Sequence, residues 1–333
     1  MAGGQEKILK RRIRSVQSTK KITRAMELIA ASRIVKAQAR VVAARPYAEK
    51  ITDVIHHLSE GGSGDKSPLL VARPEVNTVA FVVITADRGL CGAYNSSVIR
   101  RAERSLKAEE ARGREYSLIL VGKKAESYFR FRDYRIDAVF DGMSDTPTYE
   151  DARRVAAAVT EPFESGAADR VQLVYTRFKS AGSQEVVENT LMPLDARALG
   201  IEPVSADDDE AGAGAGDAAT ASYEYEPSPE EILDRLLPRY VESRLFAAQL
   251  DAAASEHAAR QRAMKAATDN ADDLITKLTR VMNRARQDSI TTEIMEIVSG
   301  AEALRSGPQL LPDDLLADTI ENRKAELFRA HES

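Results

Sequence analysis

The sequence predicts a mixed α and β protein, in which helices from both termini form a long antiparallel two-helix coiled coil and an α/β domain is inserted between them. The first observation is the stretch from Pro238 to Leu304, which contains no further proline and no glycine before Gly300. Its apolar residues recur every three or four positions, the heptad spacing of a helix with one seam. The second observation is a similar helical pattern over residues 5–58, and the third is a change to strand periodicity between these two stretches.

The N-terminal helix is predicted over residues 5–58. Its apolar residues form three short stripes that slip relative to one another, as expected of a helix that curves around a partner. The stripes are Leu9, Ile13 and Val16, then Ile22, Met26 and Ile29, and then Val35, Ala39 and Val42. Pro46 predicts a kink after Arg45, and the glycine-rich stretch 60–64 predicts the end of the helix.

Charge is distributed unevenly along the chain. Residues 1–50 contain thirteen lysines or arginines and three glutamates, a net charge of +10, so the remainder carries −15 to give the total of −5. A basic helix suits nucleic acid, an anionic membrane surface or an acidic protein, or it is simply a solvated face. Nucleic acid is the least favoured of these partners, because the first 46 residues contain no aromatic side chain to stack on bases.

A Rossmann-like α/β domain is predicted between the two helices. The run Thr78–Thr85 is rich in β-branched residues and is typical of a strand buried on both faces. Further strands are predicted at 116–121, 136–140, 170–176 and 185–194, and helices at 96–112, 123–130 and 149–164. The alternation of strands and helices indicates a mostly parallel sheet with right-handed crossovers.

Five segments are therefore predicted along the chain. They are the N-terminal helix (1–60), the α/β domain (76–203), an acidic and Gly/Ala-rich linker (204–222), a return segment with the long C-terminal helix (223–304), and a C-terminal extension (305–333). Pro238 predicts a kink or a restart after a helical turn at 229–237. The predicted seam of the long helix consists of Met264, Ala267, Ala271, Leu274, Leu278, Val281 and Ala285.

Residues that could carry chemistry are few. Gly89-Leu90-Cys91-Gly92 lies between a strand and a helix, where phosphate loops occur, but it matches neither the dinucleotide nor the P-loop pattern, so a tight structural turn is favoured. Cys91 has no neighbouring histidine in the sequence. The four histidines (His56, His57, His257 and His331) lack metal-ligand spacing and are predicted to lie on the surface. We expect no catalytic residue, no cofactor and no metal.

The composition also indicates the compartment in which the protein is found. A single cysteine excludes an intrachain disulfide and indicates a reducing compartment. No run of apolar residues approaches the length of a membrane span, and the N-terminus lacks the apolar segment of a secretory signal. We therefore expect a protein that neither crosses a membrane nor is secreted.

Three features of the sequence are candidates for contacts at the surface. Arg286 and Gln287 project outward together if Ala285 faces the seam, which suits either a contact or ordinary solvated residues. Met26 fits either the seam or an outward apolar contact. The stretch Tyr223, Glu224, Tyr225 and Glu226 alternates two aromatic residues with two acids and suits an interface.

Four stretches of the sequence resemble one family, the gamma subunit of the rotary F-type ATP synthase of the bacterial type. They are Val16–Ser32, Asp87–Asn95, Ala263–Ala271 and Ala285–Ile294, and the resemblance extends in order from Lys7 to Leu304. It implies a central-stalk rotor that has no catalytic site of its own and binds no nucleotide. Two departures are the long acidic linker at 204–222 and the extension 305–333.

The resemblance also implies partners and site residues. The coiled coil would stand among three alpha and three beta subunits, where Met26 would meet an acidic loop of beta and Arg286 and Gln287 would form hydrogen bonds with beta. Lys20 and Arg24 are weaker candidates for that contact.

The inserted domain would rest on the c-subunit ring beside epsilon, through Tyr223 and Glu224–Glu226. The extension 305–333 could touch the top of the hexamer or delta. The expected location is peripheral, on the cytoplasmic face of the bacterial plasma membrane. The alternatives from other classes are a homodimeric coiled-coil signalling scaffold with an α/β ligand-binding domain, and an enzyme built on the inserted sheet.

Overall fold

A computed structural model describes residues 2–59, 67–70, 72–194 and 228–305. Its elements are α1 (Ala2–Ser59), β1 (Thr78–Ile84), α2 (Tyr94–Glu110), β2 (Glu115–Val121), α3 (Lys123–Phe131), β3 (Ala138–Phe140), α4 (Tyr149–Glu164), β4 (Arg170–Phe178), β5 (Gln184–Met192) and α5 (Pro229–Arg305). The predicted linker at 204–222, residues 223–226 and the extension beyond Arg305 lie outside the described residues. Both Pro46 and Pro238 lie inside continuous helices, so the predicted restart at Pro238 is wrong.

The inserted domain is a five-stranded sheet with strand order β3-β2-β1-β4-β5. β1 pairs in parallel with β2 on one side and β4 on the other, and β3 pairs in parallel with β2. β5 is the one antiparallel strand of this sheet and joins β4 through a hairpin. The mostly parallel sheet predicted from the alternating pattern is confirmed.

Both faces of β1 are buried, as its continuous β-branched run predicts. Val79, Phe81 and Val83 pack on one face with α2 and α3. Ala80, Val82 and Ile84 pack on the other face with α4 and with parts of α1 and α5. Successive side chains of a strand point to opposite faces, so the strand requires apolar residues at every position.

The chain divides into two compact units by its contacts. The terminal unit joins the chain up to Lys20 with the chain from Asp269 onward, and the central unit runs from Lys21 to Thr268. The central unit contains the whole sheet, the later part of α1 and the earlier part of α5. The terminal unit contains the beginning of α1 and the end of α5.

In the central unit, α1 lies antiparallel to α5 and buries one regular seam. Its buried residues are spaced alternately by three and four, with half-buried alanines and a valine filling the middle turns, and they are Thr23, Glu27, Ala30, Ile34, Ala37, Ile51, Ile55 and Leu58. Thr23 forms a hydrogen bond of 2.8 Å between its hydroxyl and that of Thr268 on α5. Heptad spacing without a slip is the pattern of a helix that keeps one face toward its partner.

The predicted stripes after Val16 are therefore wrong. Ile22, Ile29, Val35 and Val42 point outward and are 55–66% exposed, whereas small and polar residues occupy the seam. The prediction chose the largest apolar residues and so shifted the helix face by one position. Thr23 bonds across the seam to Thr268, whereas Glu27 accepts its hydrogen bonds from Arg24 on the same helix, and the alanines need little space between the helices.

In the terminal unit, the seam predicted for α5 is correct at some positions and wrong at others. Ala271 is buried, and Leu278 and Ala285 are half-buried, as predicted. Leu274 and Val281 are instead 39% and 54% exposed, and Ile275, Met282 and Ser289 take the alternate seam positions. On α1, Ile13 is buried, and Leu9 and Val16 are half-buried, in agreement with the first predicted stripe.

Candidate partner-binding surfaces

The loop after β1 is fixed by side chains on either side of it. The amide nitrogen of Ala86 donates to Asn95 Oδ1 at 2.8 Å, and Asn95 Nδ2 donates to Cys91 Sγ at 3.1 Å. Asp87 accepts hydrogen bonds from the backbone amides of Lys123 and Ser144, both at 3.2 Å. The acid, the amide and the cysteine of this motif are thus held by bonds within the fold, as the prediction of a structural turn requires.

Two residues of this loop adopt left-handed backbone conformations. Gly92 has φ of 58°, and a Cβ placed on it would lie 3.7 Å from Ala263 on α5, so the loop and the helix approach closely here. Leu90 has φ of 63°, unusual for a branched residue, and its side chain is 63% exposed. The turn therefore displays Leu90 to solvent at the cost of backbone strain.

A polar cluster lies beneath the loop, in the interior of the central unit. Glu256 and Arg260 on α5 form an ion pair of 2.6 Å, and Arg260 also donates to the carbonyl of Gly89 at 3.3 Å. Burial, and then the charge of Glu256, raises the pKa of the buried Cys91 thiol. A thiol with a raised pKa is a poor nucleophile, so the geometry favours a packing role for Cys91.

His257 contradicts the prediction that it lies on the surface. Its side chain is 2% exposed, and its Nε2 lies 3.2 Å from the carbonyl oxygen of Asp145. Burial lowers the pKa of His257. The prediction failed because a histidine on a long polar helix gives no sequence signal for the loop that covers it.

Met26 lies on α1 beside the loop after β1. With Ile29, Leu90, Arg88 and Arg33 it surrounds a cavity of about 280 Å³. Met26 is half-buried, whereas Ile29 and Leu90 are more than half exposed. We call these five residues the Met26 patch: an apolar centre with an arginine on two sides. Sequence reasoning found Met26 but missed Ile29, assigned to the seam, and Leu90, assigned to a turn.

Lys20 and Arg24 are each engaged within the protein. In the terminal unit, Lys20 Nζ lies 2.5 Å from Asp272 Oδ1, and both side chains are exposed. In the central unit, Arg24 donates from one nitrogen to both carboxylate oxygens of Glu27, at 3.0 and 2.9 Å. Exposed ion pairs contribute only about 0–1 kcal/mol, so a partner's carboxylate can compete for either cation.

Arg286 and Gln287 lie together on the exposed side of α5 in the terminal unit. Both side chains are exposed and Ala285 is half-buried, the orientation expected from the sequence. Arg286 has no ion pair with any residue that the structure describes. Its guanidinium is thus available to a partner with acceptor oxygens.

The end of α5 also carries an apolar stripe that sequence reasoning missed. Ile290, Ile294 and Ile297 follow Arg286 at helical spacing and are 48–71% exposed. Met295 and Val298 lie beside them and are exposed too. We call these five residues the α5 stripe. A contiguous exposed apolar surface of this kind marks a protein interaction site, and the signal was present in the recurrence of isoleucine at positions 290, 294 and 297.

The remaining candidate contact residues lie outside the described part of the chain, and the described part contains neither a metal-binding cluster nor a membrane-spanning helix. Tyr223, Glu224, Tyr225 and Glu226 lie outside the described residues. Across residues 2–59, 67–70, 72–194 and 228–305, no three His, Cys, Asp or Glu side chains are grouped as a metal site would require. Within the same ranges, no helix combines the length and apolarity needed to cross a membrane.

The chain has close relatives of known family over most of its length. Residues 5–304 match the family model described as ATP synthase. A protein of Parafrankia sp. named ATP synthase gamma chain is 51% identical over 308 residues, which are 91% of this chain and 99% of that protein. The ATP synthase gamma chain of Streptomyces avermitilis is 45% identical over 306 residues, 91% of this chain and 97% of the relative.

Solved structures share the fold. A chain of the Euglena gracilis mitochondrial ATP synthase, described as OSCP/F1/c-ring, aligns with a TM-score of 0.61 and 20% identity over 93% of this chain and 97% of its own. A chain from the central stalk and c-ring of the Tetrahymena thermophila mitochondrial ATP synthase aligns with a TM-score of 0.53 and 24% identity over 74% of this chain and 99% of its own. These matches confirm the predicted arrangement of long terminal helices with an inserted sheet.

Proposed function

The chain belongs to the ATP synthase gamma-chain family, and from this premise we propose that it transmits torque in the central stalk of a proton-translocating ATP synthase. It is a non-catalytic subunit, so its work is mechanical coupling between a membrane c ring and a catalytic hexamer of alpha and beta subunits. The observation that carries this proposal is identity of 51% over 91% of the chain, which includes both helices and the sheet.

We propose that the Met26 patch contacts an acidic loop of beta. An apolar centre with Arg88 and Arg33 at its edge suits a segment that presents both apolar and acidic side chains. Lys20 and Arg24 would contribute by exchanging Asp272 and Glu27 for partner carboxylates. Such exchange between weak surface pairs permits contacts that break and re-form as the stalk turns.

We propose that Arg286 and Gln287 form hydrogen bonds with beta at a second contact. The guanidinium of Arg286 is exposed and forms no ion pair within the described part of the chain, so it is suited to bidentate contact with a carboxylate. The neighbouring α5 stripe would bury its isoleucines against the apolar lining of the alpha and beta subunits. Apolar contact is non-directional, so it holds a shaft without fixing its angle.

Further partners follow from the same premise. The inserted domain would rest on the c ring beside epsilon, with Tyr223 and Glu224–Glu226 as its contact residues, and the extension 305–333 would contact delta or the top of the hexamer. The protein would be peripheral to the membrane, on its cytoplasmic face. Chains of solved assemblies that share its fold are described with a c-ring, which supports the c-ring part of this proposal.

The experiment is reconstitution of the complex with variants at each contact. Arg286→Ala with Gln287→Ala should lower coupled ATP synthesis in membrane vesicles while the melting temperature of the isolated chain stays unchanged, because both side chains are exposed. The matched control is Arg284→Ala, which removes an exposed arginine from the same helix. Synthesis at the wild-type level in the double variant would remove these two residues from the torque path.

A second pair of variants tests the Met26 patch. Met26→Ala with Leu90→Ala should lower synthesis more than Leu28→Ala, which removes an exposed leucine that does not line the same cavity. Equal effects would show that the patch is not a specific contact.

Stoichiometry separates the rotor from the signalling scaffold predicted as its alternative. A rotor occurs once per complex with three alpha and three beta subunits, whereas a scaffold forms a homodimer through its long helices. Membership of the gamma-chain family favours the rotor. Native mass spectrometry of the purified complex that returned two copies of this chain would overturn the proposal.

A further inference from the structure

The central unit contains a second cavity, whose charged lining residues are mostly basic. It has a volume of about 350 Å³ and lies between α1, α5 and the loop that connects β3 to α4. Arg33, Lys36 and Arg40 line it from α1, Asp145 from the loop, and His257 from α5. We call these five residues the basic cavity. None of them is proposed above to form hydrogen bonds with beta; Arg33 belongs to the Met26 patch, and Asp145 and His257 also line the cavity beside Met26.

Three cations face this cavity from one side of α1. Arg33, Lys36 and Arg40 are three and four residues apart, so they lie on successive turns of the same helix face. The one acid among the lining residues is Asp145, whose Oδ2 lies 2.5 Å from Arg33. Lys36 and Arg40 form no ion pair or hydrogen bond with any residue in the described ranges. The cavity therefore carries an excess of positive charge.

Two of the lining residues, His257 and Asp145, carry acceptor atoms that expose almost no surface, so a ligand reaches these atoms only after a small rotation of the side chains. His257 Nε2 lies 3.2 Å from a carbonyl oxygen and must donate to it, so in the neutral imidazole Nδ1 is an acceptor. Asp145 is acceptor-only when ionised; burial opposes ionisation, but the hydrogen bond from Arg33 lowers the pKa of Asp145 overall. Both His257 Nδ1 and Asp145 Oδ1 are buried and have no hydrogen-bond partner among the described residues. A buried acceptor without a donor is costly.

The three cations and the two acceptor residues together indicate which kind of ligand fits the cavity. It needs several acceptor oxygens for the cations and at least one O–H donor for Asp145 or His257. Inorganic phosphate near neutral pH has both, because it carries one or two protons on an anion with three or two free oxygens. Sulfate offers the oxygens without the proton, and so does an ionised carboxylate from an acidic partner segment. We propose that the basic cavity binds inorganic phosphate and selects it against sulfate through Asp145 and His257.

The size of the cavity agrees with this ligand. A water molecule occupies about 30 Å³ of liquid, so a cavity of about 350 Å³ holds a phosphate with water around it. Bound phosphate would stabilise the central unit by mass action, since the three walls come from segments that are distant in sequence. Phosphate binding can therefore be measured in two ways, by direct titration and by a rise in the melting temperature.

The test is calorimetric titration of the full-length chain with inorganic phosphate, repeated with sulfate at the same ionic strength. We expect phosphate to bind at least about tenfold more tightly than sulfate, the order of magnitude of one hydrogen bond to a charged group. Lys36→Ala should weaken phosphate binding about tenfold for the same reason. The matched control is Lys21→Ala, which removes an exposed lysine of α1 that does not line the cavity and should leave binding unchanged.

Asp145→Asn tests selectivity separately from charge. The amide can donate to an unprotonated oxygen, so the preference for phosphate over sulfate should fall toward unity even if the affinity for phosphate also falls. The melting temperature of each variant without phosphate shows whether it is folded. Retained selectivity in folded Asp145→Asn would overturn the assignment of this residue.

Three further outcomes would overturn the proposal. The first is no detectable phosphate binding to the wild-type chain. The second is equal binding of phosphate and sulfate, which would identify the cavity as a non-selective basic surface. The third is binding to the isolated chain but not to the assembled complex with alpha and beta, which would assign the cavity to an acidic segment of a partner. Because the titration of the isolated chain requires no rotation, its failure leaves the proposed torque function untouched.

Discussion

In the central unit, the sheet buries its large apolar residues, whereas α1 buries some of them and exposes others; Ile34, Ile51, Ile55 and Leu58 are buried. On β1, Val79, Phe81 and Val83 are fully buried against other parts of the same chain. On α1, the seam contains Thr23, Glu27 and Ala30, while Ile22, Ile29, Val35 and Val42 point outward and are 55–66% exposed. The sheet thus obtains its stability from its own chain. α1 thus leaves part of its apolar surface exposed, where a partner can cover it.

Removal of a large buried side chain from the sheet should have the largest effect. Phe81→Ala removes a fully buried ring between β1 and the α2–α3 layer, and we expect a loss of about 3–5 kcal/mol in the free energy of unfolding. Phe131→Ala is the control, because its ring is 84% exposed and the loss should stay within about 0.5 kcal/mol. Denaturant unfolding of both variants measures the difference, and similar losses would mean that the sheet is not the principal core.

A charge placed in the seam of α1 should have the next largest effect. Ala30→Asp puts a carboxylate at a position that is 1% exposed, and we expect a loss of about 1–3 kcal/mol or more for an unpaired buried polar group. The neighbouring change Ile29→Asp falls on the outer side, at 55% exposure, and should leave the isolated chain nearly as stable as wild type.

The same pair of variants separates folding from coupling. Ile29→Asp should reduce ATP synthesis in the reconstituted complex because Ile29 belongs to the Met26 patch, whereas its thermal unfolding should be normal. If Ile29→Asp were the more destabilising of the two, the seam would follow the large apolar residues after all.

The comparison also explains which features the sequence could predict. β1 was predictable because a strand buried on both faces leaves an unbroken run of β-branched residues, and part of the seam of α5 was predictable because Leu278 and Ala285 keep heptad spacing. The seam at Thr23, Glu27 and Ala30 was not, since small and polar residues give no hydrophobic period even when they are buried. Leu90 and His257 were missed for a related reason: their surroundings come from segments that are distant in sequence. Met26, Arg286 and Gln287 were singled out from the sequence pattern; their roles came from the family resemblance and stay predictions.

A half-buried acid on α5, Asp251, makes the stability of the central unit depend on pH. Burial, opposed by Arg177 and Arg45, raises the pKa of Asp251 from 3.8 to about 6. The folded state therefore holds the proton more tightly than the unfolded state, and the stability that this provides is present below pH 3.8 and is lost as the pH rises through 6. Because part of the side chain stays in water, we expect a change of about 1–2 kcal/mol rather than the full value.

Asp251→Asn should remove that component. The free energy of unfolding of the wild-type chain should fall more steeply between pH 4 and 6 than that of the variant, when both are measured by urea denaturation at fixed ionic strength. Parallel curves would show that Asp251 titrates alike in the folded and unfolded states. Glu161→Gln serves as the control, because the side chain of Glu161 is exposed and forms no ion pair with any residue that the structure describes.

The hydrogen bond between Thr23 and Thr268 should have the smallest effect of the four, and it tests whether the polar seam is paired or merely tolerated. Thr23→Val leaves Thr268 without this partner, although its hydroxyl still donates to the carbonyl of Met264 at 2.9 Å, so a loss of about 1 kcal/mol is expected. The double change to valine should recover most of this loss, because two apolar groups of similar shape leave neither hydroxyl of the pair without its partner. A double-mutant cycle on the isolated chain measures the coupling between the two positions. Coupling near zero would mean that the two hydroxyls meet without stabilising the pair, and that the seam is held by the close approach of its alanines alone.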